Sequence, residues 1–151
     1  MNTAYAEQTK VMALPFAGVG YTKSKDQDGF GAHIGARFLM AANGRQRFGI
    51  EISQLDLYAL DNSAPSTKYT AIGIVVEQTL WDWFLMSIGT IGYISTEAHS
   101  SNPFGIRTNL GWEGGKQQDQ LRPFVVYRAD YIFDSANTRV NSISSGIRMS
   151  F

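Results

Sequence analysis

Apolar and polar residues alternate with period two along most of the chain, and the i, i+3, i+4, i+7 spacing of an amphipathic helix never persists. The pattern predicts an all-β protein. Clusters of turn-forming residues interrupt the alternation at 23–29, 42–46, 61–66, 80–82, 98–103, 114–120 and 134–138. Between them lie eight predicted strands, near 11–22, 30–41, 47–59, 68–79, 83–95, 104–113, 121–133 and 139–151. Most hold about ten to thirteen residues, whereas strands of soluble sheets usually hold about five or six. A tilted strand needs roughly 9–11 residues to cross a bilayer. The 151 residues suffice for one domain, read as 11–151, and no repeat, low-complexity tract or linker divides it.

The two faces of the strands differ in kind. Phe30, Ala32, Ile34, Ala36, Phe38 and Met40 share one face of the second strand, opposite Gly31, His33, Gly35 and Arg37. The sixth sets Phe104, Ile106, Thr108, Leu110 and Trp112 against Gly105, Arg107, Asn109, Gly111 and Glu113. In the seventh, Leu121, Pro123, Val125, Tyr127, Ala129, Tyr131 and Phe133 oppose a face with Arg122, Arg128 and Asp130. The eighth sets Ile143, Ile147, Met149 and Phe151 against Ser142, Ser144, Gly146, Arg148 and Ser150.

Alternation alone cannot say which face points inward in a closed sheet. The polar faces combine glycines with charges of both signs, which suits a narrow interior where side chains pair, while the apolar faces are broad and almost uncharged. Aromatics gather at strand ends: Phe30, Phe104, Tyr131 and Phe133 toward one rim, Phe48, Phe84, Trp112 and Phe151 toward the other. Amphipathic interfaces favour two such girdles. The expected fold is therefore an eight-stranded antiparallel up-and-down transmembrane β-barrel, apolar outside and polar inside. A soluble sandwich or lipocalin-like barrel is the competing reading. The first and fifth strands are apolar on both faces. The third changes phase near Gln54, where a bulge is expected to bring Leu55, Leu57 and Ala59 onto the outer face with Phe48, Ile50 and Ile52.

Composition narrows the chemistry. The 13 Lys and Arg are matched by 13 Asp and Glu, leaving no basic field for nucleic acid. No cysteine is present, which removes disulfides and thiolate metal sites. His33 and His99 stand far apart without carboxylates at ligand spacing, so neither a metal nor another cofactor is expected. The longest nearly apolar run, 83–94, falls short of the roughly 18 to 20 residues of a spanning helix. Ala4-Tyr5-Ala6 has the small-x-small form that often ends a signal peptide. Residues 1–10 read as an N-terminal segment, either a signal-peptide remnant or an added start, and chance explains a three-residue match equally well.

The last eight residues run Ser144-Ser145-Gly146-Ile147-Arg148-Met149-Ser150-Phe151. They resemble the C-terminal β-signal of bacterial outer-membrane proteins: a polar residue, a glycine two places on, a hydrophobic residue third from the end and a terminal phenylalanine. Met149 stands where an aromatic is commoner. Length and strand number resemble the small barrels of the OmpX/Ail and OmpA-membrane-domain type. The resemblance implies a monomer in the bacterial outer membrane, in contact with outer-membrane lipid and lipopolysaccharide, and folded by barrel-assembly machinery that reads Gly146, Met149 and Phe151. It also implies periplasmic termini, with the connections at 23–29, 60–66, 96–103 and 134–138 outside. Those outer loops are short for a receptor-binding barrel.

Eight strands leave an interior that side chains fill, so a closed lumen is expected. Its predicted contents are His33, Arg37, Glu51, Glu77, Arg107, Glu113, Arg122, Arg128, Asp130 and Arg148. Lone charges there are costly, so they must pair. Closing the second and third strands about Gly44 sets Arg37 opposite Glu51, and the even sum of their numbers favours a three- or five-residue turn over a two-residue one. Folding about 116–118 brings Glu113 beside Arg122.

Three functions remain open: a structural or surface-interaction barrel, a small-solute conduit through the polar interior, and a lipid A-modifying hydrolase. The last rests on His99-Ser100-Ser101-Asn102, which resembles the His-x-Ser-Asn element of outer-membrane lipid A deacylases and makes His99 and Ser101 candidate catalytic residues. In that family the element lies in a late strand and the acid in the last one, whereas here it falls in a predicted loop. At about 3.3 Å per residue, Glu113 lies roughly 35 to 40 Å from Ser101 and cannot orient His99. Glu97 is the nearby acid, and it would serve equally as a loop cap.

Overall fold

A computed structural model describes residues 11–23, 28–43, 45–60, 66–95, 101–116 and 119–151. The strands are β1 (Val11–Lys23), β2 (Asp28–Ala41), β3 (Gln46–Ala59), β4 (Thr67–Leu80), β5 (Phe84–Ser95), β6 (Phe104–Glu113), β7 (Leu121–Phe133) and β8 (Thr138–Ser150). Every end falls within two residues of the position read from the sequence. Each strand pairs antiparallel with the next, and β8 returns to β1, closing the barrel. Closure removes the unpaired edges that an open sheet would expose. The N-terminal segment 1–10 lies outside the described residues.

Burial is inverted relative to a water-soluble protein. Arg107, Arg128, Arg148, Glu51, Glu77 and Asp130 have 0% exposure, while Val19, Ile34, Ile74 and Ile143 stand between 63% and 69% exposed. A soluble sandwich or lipocalin would bury those aliphatic side chains. Here they form a continuous outer wall far larger than the apolar patches of soluble monomers, which is stable in contact with lipid chains. Tyr21, Phe30, Tyr58, Phe104, Tyr131 and Phe133 ring one end of the wall. Phe48, Trp81, Trp83, Trp112 and Phe151 ring the end that carries the chain terminus.

The turns follow local chemistry. Asn43 Oδ1 accepts from Arg45 N at 3.1 Å and Gln46 N at 2.9 Å, and Ala42 N donates to Gln46 O, closing a three-residue turn between β2 and β3. Between β4 and β5 lies a three-residue connection in which Trp81 (φ 50°) and Asp82 (φ 62°) take the left-handed conformation and Trp83 N donates to Leu80 O at 3.3 Å. Trp81 packs against Trp83 at 6.1 Å and Phe84 at 6.1 Å, so aromatic packing at the interface offsets the backbone strain. Asp134 caps the β7–β8 turn, accepting from Ala136 N, Thr138 N and Thr138 Oγ1.

The expected bulge in β3 is absent. Pairing with β2 runs unbroken from Ala41↔Arg47 to Gly29↔Ala59, and pairing with β4 from Gln46↔Gln78 to Leu57↔Thr67. Leu55 and Leu57 therefore point inward, and Gln54 and Asp56 outward, where Gln54 Nε2 and Tyr58 Oη each donate to Asp56 at 3.4 Å. The side chain of Ala59 lies outside the described set. The apparent change of phase has a physical cause: near this rim the interior is apolar and the outer face reaches the polar interface. In β1 and β5, Met12, Leu14, Phe16, Leu85, Ile91 and Tyr93 are the large apolar residues that point inward.

Candidate functional site

The interior is organised by register. Toward the loop end, Leu55, Leu57, Tyr69, Tyr93, Ile132 and Val140 form an apolar collar, with Tyr69 and Tyr93 meeting edge to face at 6.0 Å. Below it an ion chain crosses the barrel, built on two directly opposed pairs, Arg37↔Glu51 and Arg107↔Asp130. Arg37 Nε lies 2.6 Å from Glu51 Oε2, Glu51 Oε1 takes Arg107 Nη1, Arg107 Nε lies 2.5 Å from Asp130 Oδ1, and Arg128 Nε lies 2.8 Å from Asp130 Oδ2. Tyr93 Oη donates to Asp130 at 2.7 Å, and Ser87 and Ser53 accept from Arg37 and Arg107.

A second chain lies toward the termini. Arg47 Nη1 is 3.3 Å from Glu77 Oε1, Arg148 Nη2 is 2.5 Å from the same oxygen, and Glu113 Oε1 is 2.7 Å from Arg148 Nε and 2.8 Å from Arg122 Nη2. Arg37 Nη1, 3.7 Å from Glu77 Oε2, ties the two chains together. Each chain alternates cation, anion, cation, anion, cation. Leu14, Phe16, Leu39, Leu85, Phe124 and Val126 pack around them. Phe16 also lies beneath the guanidinium groups of Arg37 and Arg128, at 5.8 and 5.3 Å.

The closed barrel is similar to solved structures. Neisserial surface protein A (NspA) matches it at a TM-score of 0.61 with 15% identity, over 94% of this chain and 97% of that one. A de novo designed transmembrane β-barrel matches at 0.51 with 15% identity, over 95% and 96%. The fold is that of a small transmembrane β-barrel. No protein-family profile matches the chain, and no curated protein matches it in sequence.

The ten lumen residues read from the sequence, His33, Arg37, Glu51, Glu77, Arg107, Glu113, Arg122, Arg128, Asp130 and Arg148, are all inward and at most 5% exposed. Nine of them join the two chains; His33 stands apart, its Nε2 2.5 Å from Ser144 Oγ. Sequence reasoning missed Arg47, which is 6% exposed and bound to Glu77 and Thr79. Its phase was the available signal, since it shares a face with Glu51 four residues on and sits opposite Glu77. The apolar collar was missed as well.

At the C-terminus, Phe151 is outward and 77% exposed, while Gly146 faces inward. A Cβ on Gly146 would sit 2.7 Å from Phe124 Cζ and collide with Pro15 O, so glycine is needed where β8 passes β1 under the Phe124 ring. Of the loop element, His99, Ser100 and Glu97 lie outside the described residues. Ser101 and Asn102 are exposed, and Asn102 Oδ1 accepts from Ser95 N at 3.2 Å. Glu113, at the far end of β6, is engaged by Arg122 and Arg148. Among the described residues no cluster of His, Cys, Asp or Glu has the arrangement of a metal site.

Proposed function

We propose that the protein is a closed barrel of the bacterial outer membrane with a structural or surface-interaction role, and not a solute channel or a hydrolase. The observation that carries this reading is the filled interior: an apolar collar above two cross-linked ion chains. A continuous water path would have to separate buried pairs, at roughly 3 to 5 kcal/mol for each partner left uncompensated. The contact surface is instead the lipid-facing wall with its two aromatic rims. The four loop-end connections, of four to eight residues, add little to it. Outer-membrane lipid and lipopolysaccharide are then the principal partners. Gly146, Met149 and Phe151 serve as the assembly signal, and the barrel acts as a monomer. The NspA-like fold and the β-signal-like C-terminus support the location.

The test is electrical. Purified barrel added to a planar bilayer is expected to give no stepwise conductance at moderate voltage, even where insertion is verified by co-sedimentation with lipid. Reproducible unitary steps would favour the conduit reading instead.

A further inference from the structure

The two ion chains contain six guanidinium groups and four carboxylates, all buried. Alternation that begins and ends on a cation leaves each chain with one positive charge in excess. For the chain near the termini the loose end is Arg122, and a counter-charge adjoins it: a Cβ on Gly115 would sit 3.0 Å from Asp119 Oδ2 and 3.1 Å from Arg122 Cγ. The central chain returns on itself at Arg128, whose Nη2 also lies 3.8 Å from Glu51 Oε1, so three guanidinium groups share two carboxylates. Arg128 is 0% exposed and its Nη1 has no partner. Buried excess charge of this kind is costly, and water alone satisfies the hydrogen-bonding but leaves the charge.

Around Arg128 the register collects further unpartnered groups. Arg128 lies opposite Ser142, Ser142 opposite Gly20, and His33 opposite Gly18. Ser142 Oγ, His33 Nδ1 and Thr22 Oγ1 are all buried without a partner. Glycine at 18 and 20 means that no β1 side chain covers the stretch between Phe16 and Thr22. The His33 ring leans over Gly18, its Cε1 2.5 Å from where a Cβ there would be, and Ser142 leans over Gly20, so both side chains border what is left of the gap. When Ser144 donates to His33 Nε2, the imidazole carries its proton on Nδ1 and becomes a donor too. The register thus gathers four groups able to donate on the Arg128 side of a network in which three cations share two anions.

We propose that the barrel interior holds one small inorganic anion, of chloride size, beside Arg128, with His33, Ser142 and Thr22 completing its donors. The site is internal to the wall and independent of whether the barrel conducts.

The experiment uses the full chain refolded from urea into detergent in sodium bromide and crystallised. An anomalous bromine peak inside the barrel at Arg128 is the expected result. Bromide found only on the outer surface, with water at Arg128, would overturn the proposal. In parallel, thermal unfolding is followed while chloride replaces isethionate at constant ionic strength. The wild type is expected to gain several degrees with saturation, and Arg128→Gln to gain none. An equal gain in Arg128→Gln would contradict the assignment. If that variant fails to fold, Ser142→Ala is expected to need more chloride for the same gain, and an unchanged chloride response there would count against the site.

Discussion

Arg37 and Glu51 face each other directly across β2 and β3, with the guanidinium Nε 2.6 Å from the carboxylate and both side chains buried. The pair joins fold to site, because it exists only if the hairpin closes on an odd-numbered turn, here of three residues, and both residues point inward.

Removing either partner is expected to destabilise the barrel, but unequally. Glu51→Ala takes a shared carboxylate from Arg37, Arg107 and Arg128, leaving Arg37 only the longer contact to Glu77 and the other two only Asp130, and deepens the excess of positive charge, at a cost of about 3 to 5 kcal/mol. Arg37→Ala leaves Glu51 still held by Arg107 and removes one surplus cation, so its cost is expected to be smaller. The double variant should cost less than the sum of the two. Urea unfolding in lipid vesicles measures all three, and strictly additive losses would show that the two side chains do not interact.

The outer wall makes the opposite demand. Ile74, near the middle of β4 and 67% exposed, faces the hydrocarbon. Ile74→Arg is expected to cost about 2 to 4 kcal/mol in a bilayer. At a water-exposed position the same change would stay within about 0.5 kcal/mol. Unfolding of the vesicle-inserted variant separates the two.

Strand number and order were legible because β2, β6, β7 and β8 contrast an apolar outer face with a charged inner one, and period two survives in that contrast. It fades where the two faces resemble each other. In β1 and β5 the interior is filled by Leu14, Phe16, Leu85 and Ile91, as apolar as the lipid-facing wall. In β3 the contrast reverses near the rim, where Leu55 points in and Asp56 out, and this imitated a bulge. Individual lumen charges followed from phase alone. Their assembly into two chains did not, since Arg107 reaches Glu51 and Arg148 reaches Glu77 across the barrel, between strands that share no register.

A closed, fully paired sheet resists detergent until it is boiled. Unheated and boiled samples of the folded chain are expected to migrate differently on a gel containing dodecyl sulfate. Identical migration would argue against a closed barrel.

Phe151 contributes little to packing, being 77% exposed with its backbone N–H bonded to Val11 O at 3.1 Å. Phe151→Ala is therefore expected to leave refolding in detergent unchanged while lowering the amount recovered in the outer membrane of a Gram-negative host severalfold. Equal recovery would remove Phe151 from the assembly signal.

The inside-out arrangement is tested most directly at two adjacent residues, Ile74 facing out and Val75 facing in at 1% exposure. The chain has no cysteine, so a single one introduced at either position can carry a spin label without background. In proteoliposomes the label at Ile74→Cys is expected to be open to oxygen dissolved in lipid and shielded from a water-soluble nickel reagent, and the label at Val75→Cys to be immobilised and shielded from both. Collision of the Ile74→Cys label with the nickel reagent, to the extent seen for a residue in water, would contradict a lipid-facing wall.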